Sequence, residues 1–165
     1  MGEIQSFRDL RVYQKLFALH IEVHNLSLTF PKFETYELGS QVRRSSNSAP
    51  AQIAEGWGSR HTNIYLESVS RALGEVRETQ HHLAVAQAKG YLSREQHKGL
   101  DEGYDHCGRM LERLYQSLSE WRGSVRYPTQ VKEEPALYLS SAALLSDWEE
   151  VVGITFSVMA APDHR

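Results

Sequence analysis

Apolar residues recur along this chain at alternating steps of four and three, the spacing that lines one face of an α-helix. In the first such run Val12, Leu16, Leu19, Val23, Leu26 and Phe30 form one stripe, and Tyr13, Phe17, His20 and His24 form a second beside it. The pattern predicts a helix over roughly Asp9–Thr29. Two stripes are wider than a single intramolecular face requires, so either the helix lies deep in a bundle or its second face packs between subunits. A third run, Tyr65, Val69, Ala72, Val76, Thr79, Leu83 and Ala86, predicts a helix over about Asn63–Ala88, closed by Gly90. A fourth, Leu100, Tyr104, Cys107, Leu111, Leu114, Leu118 and Trp121, follows a Ser93/Gln96 pair that reads as a capping box.

Between the first and third runs lies a stretch of different character, Ser40–Arg60. Ser45, Ser46, Ser48, Ala49, Ala51 and Ala54 sit there among Val42, Ile53 and Trp57, so a neighbouring helix can approach closely. Pro50 removes a backbone donor in mid-stretch and predicts a kink rather than a stop. Gly56 or Gly58 is the expected end of this helix, and Thr62 the expected N-cap of the next. Gly74 in mid-helix costs about 1 kcal/mol relative to alanine, which points to a close crossing against the small-residue face. The short connection Phe30–Thr35, with Pro31, implies an antiparallel turn.

Past Gly123 the pattern breaks down. Pro128 and Pro135 bracket a polar connector, after which the run from Ala136 to Met159 is apolar without a clean period. Ala136–Leu145 fits a short helix, and Val151–Met159 is rich in β-branched residues and fits an extended segment. An apolar segment of this size calls for docking, as a strap on the bundle or on a partner, in preference to a free end.

Several motifs resemble one family. R-R-x-x-x-S-x-P-x-x-I-A-E-G, filled by Arg43, Arg44, Ser48, Pro50, Ile53, Ala54, Glu55 and Gly56, is similar to the signature of four-helix bundle proteins related to the 23S rRNA intervening-sequence protein. The retroelement accessory protein Avd belongs to the same group. The likeness extends to F-R-D-L-x-V-Y-Q-K at Phe7–Lys15, A-L-G-x-V-x-E at Ala72–Glu78 and K-G-Y-L-S at Lys89–Ser93, and so covers residues 7–121. Gln52 stands where the family usually has Asn. The resemblance implies a ring-like homo-oligomer, a homopentamer in the family arrangement, and contact with nucleic acid.

Composition narrows these expectations. A chain of 165 residues is long enough to bury a core. Its one cysteine, Cys107, excludes an intramolecular disulfide and fits a reducing cytoplasm; its seam position predicts a small buried hydrophobe. Neither a signal peptide nor a membrane span is expected, because no apolar run is long enough. Lys+Arg and Asp+Glu are balanced at 15 each over residues 1–122, whereas residues 123–165 carry 3 against 6. A nonspecific nucleic-acid binder usually has a basic surplus, so any such surface must be local.

Candidate chemistry is sparse. His20 and His24 share a helix face, and Glu78 stands one turn before His82, next to His81. Helical di-iron sites instead repeat Glu-x-x-His, so no metal is expected. Nucleophile elbows, P-loops and dinucleotide fingerprints are missing, and neither an enzyme nor a cofactor is expected. Arg43, Arg44, Ser48, Gln52, Glu55 and Glu78 form a candidate structural polar network, with an Arg–Glu pair expected across the close helix gap. Arg8, Arg11 and Lys15, Arg60 in a loop, and Arg71 and Arg77 are the candidate phosphate contacts. Together these observations predict an all-α protein: an antiparallel up-down-up-down four-helix bundle over residues 1–122 and a C-terminal extension over 123–165. The expected function is a non-enzymatic oligomeric scaffold contacting structured RNA or DNA, or a nucleic-acid-processing partner. The alternative is a protein-only adaptor whose C-terminal segment docks on a partner.

Overall fold

The computed structural model of the chain describes residues 5–59 and 61–124. The expectations for Arg60 and for the C-terminal extension beyond Ser124 lie outside those residues. Four α-helices and two 3-10 turns make up the described structure, with no strand among the described residues: α1 (Arg11–Ser27), α2 (Leu38–Gly56), α3 (Thr62–Ala88) and α4 (Arg94–Ser124). Each helix packs on the next, and α4 closes back on α1. This is the all-α four-helix arrangement that the apolar periodicity predicts.

Local chemistry sets the ends. Ahead of α1, Ser6 and Asp9 form a reciprocal capping box around the turn Phe7–Asp9. At the start of α4 the Gln96 N–H donates to Ser93 Oγ at 3.1 Å and the Ser93 N–H to Gln96 Oε1 at 2.9 Å, as the Ser93/Gln96 spacing implies. Gly90 takes φ 77°, which lets the Tyr91 N–H reach the Ala86 carbonyl at 2.9 Å and closes α3. The start of α3 differs from expectation. His61 occupies the N-cap with no side-chain cap, and Thr62 is the first helical residue. Helix α2 runs through Pro50, which is buried.

The seams meet in one core. Leu16, Val42, Ala49, Ile53, Val69, Ala72, Leu111 and Cys107 have no exposed surface, and Val23, Leu83 and Leu100 have 1 %. Full burial of each Leu or Ile contributes about 1.5–3 kcal/mol. The Cys107 thiol is pushed up to about 11 by burial, with Lys15 opposing, as suits an inert core residue. The second stripe of α1 is not core. Phe17 is 49 % and Ile21 43 % exposed, while Tyr13 and His20 are half-buried.

The close approach of α2 and α3 is real, but Gly74 does not make it: a Cβ there would meet nothing within 4 Å. Gly56 makes it. A Cβ on Gly56 would lie 2.5 Å from Ser68 Cβ and 2.9 Å from Tyr65 Cδ2. Further along the same seam the buried Ser45 and Thr79 hydroxyls stand 3.0 Å apart. Glycine at position 74 therefore costs helix propensity without giving contact, because that face of α3 is open to solvent.

At the opposite end a buried carboxylate joins two loops. Glu34, in the 3-10 turn Lys32–Thr35 between α1 and α2, is 2 % exposed. Its Oε1 accepts from Lys89 Nζ at 2.7 Å and Tyr91 OH at 3.0 Å, and its Oε2 accepts from the Leu38 N–H at 3.2 Å. Lys89 and Tyr91 lie in the α3–α4 connection, so one side chain ties both loops at this end together. The Lys89 hydrogen bond, more than any other contact, holds the Glu34 carboxyl below its usual value, and the same bond raises Lys89.

Two sets of substitutions test this account. Gly74→Ala is expected to raise the unfolding free energy by about 1 kcal/mol, whereas Gly56→Ala should lower it by about 1–3 kcal/mol through overpacking; urea melts of the two variants decide. Because the Glu34 pKa is depressed, its contribution is present above the unfolded value of about 4.3 and is lost as pH falls through the folded value. The raised Lys89 contributes below about 10.4 and loses its contribution only as pH rises beyond that. Glu34→Gln should therefore lower Tm at neutral pH and flatten the acid limb of the Tm–pH curve; an unchanged limb would remove Glu34 from that role.

Candidate nucleic-acid interface

Arg11 is the first residue of α1, Lys15 follows one turn later, and both are exposed. Residues four apart share a helix face, so the two cations stand one above the other. Arg8 lies in the turn before α1, which packs on α1 and α2, with its guanidinium 4.6 Å over the Phe7 ring. The neighbouring surface of α4 adds cations that the sequence reading passes over. His106 is held below its ordinary value first by partial burial and then by Lys15, Arg109 and Arg113, with Asp105 opposing. Four cationic or titratable groups from two helices are thus close enough to repel one another.

Acidic partners are few on this face. Arg109 pairs with Asp105 one turn before it on α4. Among the described residues, no ion pair is formed by Arg8, Arg11, Lys15 or Arg113. Elsewhere on the bundle several cations carry their own acids, in Glu34–Lys89, Glu67–Arg71, Glu102–Lys98 and Glu112–Arg77.

The structure consequently divides the candidate phosphate contacts. Lys15 comes together with His106, Arg109 and Arg113 on the α1–α4 face, and Arg11 stands one turn before Lys15 on α1, whereas Arg8 lies in the turn Phe7–Asp9, which packs on α1 and α2. Arg71 lies on α3 and pairs with Glu67 at 2.5 Å; Arg77, also on α3, pairs across to Glu112 of α4 at 3.5 Å. Both are exposed pairs, the kind that holds little stability, and both arginines carry their own counter-charge.

The candidate polar network is divided as well. Arg43 turns away from Glu55 and Glu78, donating from Nη1 to Ser27 Oγ at 3.0 Å and from Nη2 to the Thr35 carbonyl at 2.7 Å. It therefore ties α2 to the end of α1 and to the loop carrying Glu34. Gly39 makes room for this: a Cβ there would lie 2.8 Å from the Glu34 carbonyl oxygen and 3.0 Å from Arg43 Nη1. Arg44 is exposed and bonds Gln41 Oε1 at 2.8 Å, and Glu78 stands 3.4 Å from His82 on its own helix. Glu55 is exposed, Ser48 is half-buried, and Gln52 Oε1 is buried without a partner among the described residues. Between α2 and α3 no Arg–Glu ion pair forms among the described residues: Arg44 attracts Glu75 without pairing, and the buried seam holds the Ser45–Thr79 contact, since small hydroxyls fit a gap that guanidinium and carboxylate groups do not.

Histidines are dispersed. His20 Nδ1 lies 2.9 Å from Ser46 Oγ, whose hydroxyl donates to the Arg43 carbonyl at 3.0 Å, so the ring nitrogen is the donor in that pair. Burial, and then His24, lowers the His20 pKa. Among the described residues no group of three or more His, Cys, Asp or Glu side chains is gathered so as to hold a metal ion. No described helix is long and apolar enough to cross a membrane.

The family model described as 23S rRNA-intervening sequence protein matches residues 8–113. No curated protein matches. Among solved structures, the chain is similar to a protein of unknown function from the S23 ribosomal protein family of Bacteroides thetaiotaomicron VPI-5482. The two are 21% identical, the match covers 64% of this chain and 95% of that one, and the TM-score is 0.60. At that identity the likeness is one of fold.

The crowding of cations has a direct readout. NMR titration should place the His106 pKa below about 6.5, and Lys15→Met should move it upward. No movement would mean that Lys15 and His106 do not share this face in solution.

Proposed function

The chain belongs to the 23S rRNA-intervening sequence protein family, and on that premise we propose that it is a non-enzymatic, homo-oligomeric scaffold whose α1–α4 basic face contacts structured RNA or DNA. The observation that carries this reading is the local surplus of Arg11, Lys15 and Arg113, in no ion pair among the described residues, on a domain of balanced charge. The family takes its name from an intervening sequence of 23S rRNA, which favours RNA over a purely protein ligand.

The chemistry follows from the side chains. Arginine forks and the lysine ammonium bind phosphate oxygens and release condensed counterions, without reading base edges. One face of this size makes only a few contacts and binds weakly alone. Several copies presented by an oligomer convert later contacts into intramolecular ones and raise avidity by orders of magnitude. The pentamer implied by the resemblance is the expected state. Nothing among the described residues resembles a nucleophile with its base, so the scaffold reading asks for no chemistry beyond binding.

The test is a binding titration of the full chain, its oligomeric mass determined by light scattering, against a structured RNA and a DNA duplex over a salt series. Binding should weaken steeply with salt. Arg11→Ala, Lys15→Ala and Arg113→Ala should each weaken it and reduce the logarithmic salt slope by about one per subunit engaged, while Arg71→Ala should leave the slope unchanged. Absence of binding at low salt, or an equal effect of Arg71→Ala, would overturn the assignment of this face.

A further inference from the structure

The outward side of α1 carries a second seam. Phe17, Ile21, His24 and Leu28 follow one another at steps of four, three and four, the spacing by which one helix packs on another. The bundle leaves this ridge open: Phe17, Ile21 and Leu28 are 49 %, 43 % and 63 % exposed, and His24 is exposed. Beside it runs a row of small side chains on α2. His20 Nδ1 meets Ser46 Oγ at 2.9 Å, so the Ser46 side of α2 lies against α1. Asn47, Ala51 and Ala54 share the next side of α2, at steps of four and three, and form the outward edge of the same groove. Asn47 and Ala51 are exposed and Ala54 is half-buried.

The exposed side chains of this face include no Asp, Glu, Lys or Arg. Charge resumes at its margins, with Lys15 and Glu22, which act on His106 and Tyr104 of α4, and with Arg44, which attracts Glu75 of α3. Arg43, half-buried at the loop end, is turned to Ser27 and the Thr35 carbonyl. The outer surfaces of α3 and α4 instead carry Glu67–Arg71, Arg77–Glu112, Lys98–Glu102 and Asp105–Arg109, and covering those would strip charges of water. Interface cores are depleted of charge, so the α1–α2 face is the one that a partner covers at least cost.

We propose that copies of this chain assemble through this face, the α1 ridge of one seated against the small-residue row of α2 in the next. The inference rests on the homo-oligomeric part of the function proposed above and not on its nucleic-acid part. A second copy fits the face in shape, since large side chains on one helix fill the space that small ones leave on another. It fits in charge as well, because an uncharged face calls for an uncharged partner. The extent is about 22 Å from Tyr13 to Leu28 and about 20 Å across two helices, an outline of about 440 Å². That suits the uncharged centre of an interface of about 800 Å² per partner, its polar rim included. Ridge and row lie on different helices, so one copy can give its ridge to one neighbour and its row to another, the contact from which rings are built. The basic flank of α1 facing α4 stays uncovered.

Light-scattering mass of the full chain over a dilution series tests it. Ile21→Asp puts a charge in the ridge, Ala51→Arg fills the row, and Ile64→Asp, at a site 47 % exposed on α3, is the control. Circular dichroism checks that each variant is folded, and Ile21→Ser replaces Ile21→Asp if the latter is not. The wild type and Ile64→Asp should form the same oligomer, whereas the ridge variant and Ala51→Arg should each raise the dissociation midpoint at least about tenfold. An oligomer unchanged in either folded variant, or weakened equally by Ile64→Asp, would overturn this face and leave homo-oligomerisation standing. A wild type that is a single chain at every concentration would overturn both.

Discussion

The bundle depends on how closely α2 can approach α3. That distance is set by residues that offer almost no side chain: Gly56 against Ser68, Ser45 against Thr79, and the fully buried Ala49 and Ala72. Close-packed interiors tolerate neither gaps nor overlap, so a seam of small residues fixes the helix separation as firmly as large residues fill a wide one. The larger side chains of the core, Leu16, Ile53, Leu111 and Tyr104, then occupy the space which that separation leaves between the other pairs.

The loop end of the bundle is held by polar chemistry instead. Glu34 reaches Lys89 and Tyr91 across 55 and 57 residues of sequence, and Arg43 binds Ser27 and the Thr35 carbonyl in the same region. A buried carboxylate is tolerated only when its oxygens are occupied, and here each oxygen has at least one donor. Together the two side chains turn two flexible connections into a joined cap. The signature arginine thus acts beside Glu34 and not across the α2–α3 seam, and α2 is located at one end by contact and at the other by hydrogen bonds.

Charge on this protein is a matter of distribution. Overall balance over the bundle argues against a nucleic-acid surface only if every cation carries its own acid, and Arg11, Lys15 and Arg113 form no ion pair among the described residues. On α3 the exposed arginines meet glutamates, whereas on the α1–α4 face His106 is disfavoured as a cation first by partial burial and then by Lys15, Arg109 and Arg113. On the reading proposed above, phosphates would be held there through the number and proximity of cations and not through the net charge of the domain.

Helix number, order and approximate ends were legible in the sequence, because the four-three periodicity and capping residues are local properties of each segment. So were the burial of Cys107, the Ser93/Gln96 cap and the small-residue character of α2. That Arg11 and Lys15 share a face of α1 was also legible, since residues four apart on a helix stand one above the other. What faces what was decided only by the tertiary structure. Gly74 and Gly56 are equally bare in sequence, yet only Gly56 meets a neighbour; Arg43 could have paired with Glu78, yet it turns to Ser27. The cations of α4 joined the α1 row through the antiparallel placement of helices nearly a hundred residues apart. Periodicity states which face of a helix is apolar, but the rotation and offset of one helix against another arise from packing the whole core at once, and those two quantities assign every partner.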